Sequence, residues 1–90
     1  MQEIIKALQE IPAGDDRSVV VENDAIQVVD DVTGAVVNNR EARIVRRNGR
    51  LEIQVFQDGK LLSISAIKTY GAYDTAQSIL NMLMEPDDAV

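Results

Sequence analysis

No cysteine and no histidine occur among the 90 residues of this chain. The first absence excludes a disulfide scaffold, a thiolate nucleophile and a cysteine-ligated metal. The second removes the usual general base near neutral pH and the commonest metal ligand. Tryptophan is missing too, and Phe56, Tyr70 and Tyr73 are the whole aromatic complement. That is too few rings for the stacking platform on which single-stranded nucleic acid is held. The five glycines all stand alone, so neither kind of glycine-rich phosphate loop is present. Apolar runs are a few residues long, far short of a membrane span, and Met1 leads into a charged amphipathic segment without a signal-peptide layout. A soluble, cytoplasmic protein with no membrane segment is expected.

What is present fits one domain over residues 1–90, since a chain of this size buries roughly 65% of its unfolded surface in a single modest core. Hydrophobic residues make up 46% of the chain, ordinary for a globular protein. The formal charge of −6 argues against nucleic acid as a partner, because binding a phosphate backbone relies on a basic footprint. Charge is nevertheless uneven. Five of the nine basic residues, Arg40, Arg43, Arg46, Arg47 and Arg50, fall in an eleven-residue stretch whose only acid is Glu41, leaving that stretch +4 and the remainder −10. Such a dipolar surface serves solubility and partner steering more often than chemistry.

The strongest local signals are Asn48-Gly49 and Asp58-Gly59, dipeptides that favour two-residue hairpin turns with φ > 0 at both positions. They divide Glu41 to Lys68 into strands over about 41–47, 50–57 and 60–68. A two-residue turn also dictates register. Across the first turn Ile44 meets Ile53 and Ala42 meets Val55. Across the second, Val55 meets Leu62, Ile53 meets Ile64, Leu51 meets Ala66, Gln54 meets Ser63 and Glu52 meets Ser65. Both turns therefore put Leu51, Ile53 and Val55 on one apolar face.

Towards the N-terminus, Ile4, Ile5, Leu8 and Ile11 mark one face of a helix over about 2–11, stopped by Pro12. Strands follow over about 17–22 and 25–29, with Asn23-Asp24 as a tight turn that pairs Val21 with Ile26 and Val19 with Val28. Between Asp30 and Arg40, Thr33-Gly34 either turns the chain into a short edge strand over 35–37 or belongs to a wandering loop. After an excursion through Thr69-Tyr70-Gly71-Ala72-Tyr73, Asp74 and Gln77 read as a capping box opening a helix over about 75–85 with Ala76, Ile79, Leu80 and Leu83 inward. Residues 86–90 read as an acidic tail. The fold class expected is α+β: a two-layer sandwich whose mostly antiparallel sheet of four to six strands carries both terminal helices on one face.

Candidate chemistry is sparse. Asp15-Asp16, Asp30-Asp31 and Asp87-Asp88 lack the spacing of a calcium loop, so neither a metal site nor a cofactor is expected. Ser63, Ser65 and Thr69 lack a base placed by any motif, and no catalytic residue is assigned. Arg43, Arg47 and Arg50 project from the sheet face opposite the core, with Arg47 and Arg50 across from one another. Facing cations invite an anion, although the same side chains also serve as a solvated edge or contact Glu52. Val20, Val45, Phe56, Leu61 and Ile67 fall on that same face, with Phe56 opposite Leu61, and Met82 and Met84 lie off the last helix's main stripe. Together they form an association patch, unless the 30–40 segment folds over it. In size and composition alone, the chain resembles in general character small accessory proteins of bacteria and their phages, a resemblance that carries no functional residues. The expectation is a non-enzymatic protein–protein interaction module of inhibitor, adaptor or immunity type, a homodimer, with Arg43, Arg47, Arg50, Phe56 and Leu61 at the interface. The alternative is a small protein binding a nucleotide or another anionic small molecule through the arginine hairpin.

Overall fold

The computed structural model describes residues 2–67 and 71–85. Five strands, β1 (Arg17–Glu22), β2 (Ala25–Asp30), β3 (Arg40–Arg47), β4 (Arg50–Gln57) and β5 (Lys60–Ala66), form one antiparallel sheet in chain order. Helices α1 (Gln2–Glu10) and α2 (Ala72–Met84) cover one face of it. The fold is the expected α+β sandwich. The acidic tail over 86–90 and the Lys68, Thr69 and Tyr70 expectations lie outside the described residues.

The turns behave as their chemistry demands. Asn48 and Gly49 have φ of 53° and 75°, and Asp58 and Gly59 have 55° and 79°, the left-handed pairs that match the twist of the flanking strands. Asn23 and Asp24 do the same without glycine, at 50° and 66°. The registers of β1 with β2 and of β3 with β4 are those the turns dictate, including Val19 with Val28, Val21 with Ile26 and Ile44 with Ile53.

The β4–β5 register departs from expectation. Phe56 still meets Leu61, but a bulge between Val55 and Phe56 then opposes Val55 to Ser63, Ile53 to Ser65 and Gln54 to Ile64. One extra residue in β5 turns over every side chain beyond it. Leu62 and Ile64, expected on the core face, stand on the outer face, while Ser63 and Ser65 turn towards the helices. Ile67, expected outside, packs against the core and donates its N–H to the Leu51 carbonyl at 3.0 Å.

The core takes Ile4, Ala7, Leu8 and Ile11 from the N-terminal segment and Ile26, Val28, Ala42, Ile44, Ile53 and Val55 from the sheet. Helix α2 adds Ala76, Ile79, Leu80 and Leu83, its expected face. Met82 and Met84 also pack against this core and take no part in the outer face. The start of α2 is corrected. It begins at Ala72 after Gly71 (φ 101°), with no side-chain cap. Asp74 sits inside the first turn, where its charge favours the helix dipole, and Gln77 donates to Asn81 Oδ1 at 3.2 Å instead of reaching back.

No strand forms over 35–37. Asp30 Oδ1 accepts the N–H groups of Val32 and Thr33, Val36 makes a single bridge to Val29, and a short 3-10 turn runs through Val37–Asn39. Asn38 and Asn39 are both left-handed, with φ of 57° and 50°, and send the chain back into β3 from beneath the end of α2. There Asn38 Nδ2 donates to the carbonyls of Leu83 (3.2 Å) and Glu85 (2.8 Å).

Arg40 completes that end. It is only 6% exposed, donating from Nη1 to the Met82 and Glu85 carbonyls and from Nε to Gln57 Oε1, each at 2.8 Å. The last carbonyls of a helix lack partners within it and carry partial negative charge, so a buried cation both satisfies and balances them. Arg40→Ala takes the side-chain donor from the Met82 carbonyl, leaves the Glu85 carbonyl to Asn38 alone, and is expected to cost about 3 kcal/mol in urea denaturation. Hydrogen exchange should quicken first at the C-terminal turn of α2. The exposed Arg46→Ala control should stay within about 0.5 kcal/mol of wild type.

Candidate interaction face

Alternation along the strands assigns the outer face. Ala25, Arg43, Gln54 and Ile64 form one row across β2 to β5, and Glu41, Phe56 and Leu61 form the next. Val45, Glu52 and Ala66 make a third, and Arg47 and Arg50 close the sheet end at the first hairpin. The 31–39 segment turns towards α2, with Val37 against the core, so it leaves this face uncovered.

Arg43, Arg47 and Arg50 all project here, as expected, but Arg43 and Arg47 lie beside carboxylates of the same face. Arg43 Nε donates to Glu41 Oε2 at 2.8 Å, and its guanidinium lies 5.5 Å from the centre of the Phe56 ring. A guanidinium at that distance is attracted to the ring's negative face. Arg47 Nη1 stands 3.7 Å from Glu52 Oε2, an oxygen that is buried and makes no hydrogen bond, so this contact is charge attraction without a closed bond. Arg50 is exposed opposite Arg47. Arg40, counted with this cluster in the sequence, faces the other layer entirely.

Charge gives way to apolar surface at β5. Leu61, Leu62 and Ile64 are 50%, 53% and 47% exposed, beside the half-buried Phe56. As the last strand in the sheet, β5 offers a backbone edge that is unpaired among the described residues, next to these side chains. Its one charged residue is Lys60, at its start. Arg43, Phe56 and Leu61 are thus brought onto adjoining positions, whereas Arg47 and Arg50 sit at the far end.

Leu62 and Ile64 were missed because β5 is apolar on both of its faces. Leu61 and Ile67 share one parity, and Leu62, Ile64 and Ala66 share the other, so hydrophobic pattern alone does not choose a register. Only the small polar Ser63 and Ser65 hint that either side can turn inward.

Of the acidic pairs, Asp30-Asp31 holds its loop together. Asp30 makes the turn described above, and Asp31 accepts the Ser18 hydroxyl at 2.7 Å. Comparison with known protein families, curated proteins and solved structures finds no significant match to this chain.

An anion arriving at the arginines must displace Glu41 from Arg43 and compete with Glu52 at Arg47. A thermal-shift panel of phosphate and nucleotides is therefore expected to leave the melting temperature unmoved, since bound ligand would raise it by mass action. A concentration-dependent rise abolished by Arg50→Ala would reverse that expectation.

Proposed function

We propose that the chain is a non-enzymatic protein-interaction module that assembles as a homodimer through the β5 edge and the apolar end of its outer face. One observation carries the reading: Leu61, Leu62 and Ile64 are about half exposed on an unpaired edge strand. Natural edges are blunted by charge, proline or cover, and β5 beyond Lys60 has neither charge nor proline. Its bulge lies near the turn and leaves Ser63 to Ala66 as a regular run.

Two copies related by a two-fold axis at Ser63 would add β5 to β5 antiparallel. Leu62 then faces Ile64 of the second copy, and Lys60 lies along Ala66, so no like charges oppose one another. Phe56 and Arg43 border the seam, which gives an apolar centre and a charged rim, the usual anatomy of an interface. Isologous pairing of this kind is the commonest route to an oligomer. The net charge of −6 works against approach elsewhere on the surface, and β5 lies beside the arginine-bearing part of the sheet.

Light scattering on the purified chain should return twice the monomer mass. Leu62→Lys and Ile64→Lys, placed on already exposed side chains, should each return the monomer mass with an unchanged circular dichroism spectrum. A wild-type chain that stays monomeric at the highest attainable concentration would sink the proposal.

A further inference from the structure

The bulge in β5 leaves apolar side chains exposed. A bulge-free hairpin would turn Leu62 and Ile64 inward and Ser63 and Ser65 to water; the observed register does the reverse and gains only Ile67. Behind β5 the consequence is visible. Among the described residues, an open cavity of about 450 Å³ lies between β5 and α2, walled by Ile53, Ser65, Ile67, Thr75, Ser78 and Met82. In the bulge-free register Ile64 takes the place of Ser65 opposite Ile53, at the wall of that cavity.

We infer that β5 has two registers: the bulged one, which displays Leu62 and Ile64, and a regular one, which turns Leu62 to the core face opposite Val55 and carries Ile64 to the wall of the cavity beneath α2. Three features make the exchange feasible. β5 pairs with β4 alone, so a slip breaks no second ladder. The side chains it carries inward and outward are apolar on both parities or as small as serine and alanine. The Asp58-Gly59 turn and the Phe56–Leu61 pair are common to both registers, so the slip begins beyond Leu61 and leaves the hairpin intact.

The inference rests on the interaction reading for its consequence, which is regulation of that surface. Only the bulged register presents the apolar edge, so a partner must select it. Apparent affinity falls by the fraction of chains held in the regular register. A strand slip of this size belongs to the microsecond-to-millisecond range.

Relaxation-dispersion and saturation-transfer NMR on the ¹⁵N-labelled chain, diluted until exchange is independent of concentration, tests it. Amides of Ser63 to Ala66 should exchange between two environments while those of Arg43 to Val45 stay flat. Ser65→Lys places an ammonium in the cavity only in the bulged register, so it should raise the regular population about tenfold or more and bring Ile64 methyl contacts to Ile53 and Thr75. Ile64→Lys does the opposite and should extinguish the exchange. Flat dispersion in the wild type, or a Ser65→Lys chain that unfolds or keeps Ile64 in solvent, would overturn the two-register inference. A monomeric wild type that still shows the exchange would remove the dimer and leave the slip standing; a dimer without exchange would do the converse.

Discussion

A buried guanidinium set on the end of a helix ties the two layers of this protein together. Arg40 enters from the first residue of β3 and ends on the carbonyls of Met82 and Glu85, while Gln57 at the end of β4 holds its Nε. Burying a cation is affordable here because the C-terminus of α2 supplies a partial negative charge and needs donors. The last turn of α2 has no basic residue of its own, so the cap must come from the sheet. Asn38 adds its amide to the same end. The rest of the α2 packing follows from this anchor. Its C-terminal turn is held to β3 and β4, whereas its first half, at Thr75 and Ser78, lines the cavity that the described residues leave beside β5.

The outer face obeys a different balance. Its arginines lie among the glutamates with which they alternate, Arg43 with Glu41 and Arg47 near Glu52, at distances where exposed charges are worth at most about 1 kcal/mol. Stability is therefore a poor account of why they are there. Arg43 instead sets charge directly beside Phe56, while Arg47 and Arg50 carry it to the far end of the same face.

Most of the fold was legible because turn chemistry and hydrophobic parity agreed. At Asn48-Gly49 and Asn23-Asp24 the left-handed turn and the apolar alternation both required one register, and that register is present. At Asp58-Gly59 the turn was legible and the strand after it was not, because β5 is apolar on both faces and a bulge costs only local hydrogen bonding. Arg40 was illegible for a related reason. Its neighbours Arg43, Arg46 and Arg47 are surface residues, and nothing in the chain says that a helix end from forty residues away will arrive over one member of the run. Asp74-Thr-Ala-Gln77 had the form of a capping box, yet the helix starts two residues earlier at Ala72, leaving Asp74 within its first turn. Of the candidate site, Phe56 and Leu61 were placed correctly because their pairing precedes the bulge; Leu62 and Ile64 follow it.

The bulge thus joins the fold to its surface. An edge strand has only one ladder to specify its register, and the usual second constraint is burial of one parity of side chains. Here that constraint is weak, since α2 is anchored at its far end and leaves space over β5. Turned one way, the strand fills the space and presents serines; turned the other, it presents leucine and isoleucine beside Phe56 and leaves a cavity behind. Apolar area by itself favours the first arrangement, yet the chain adopts the second, and covering the edge would favour the second further. On the two-register reading, contact at the edge and internal packing would compete for Leu62 and Ile64, and the strength of one would bound the strength of the other.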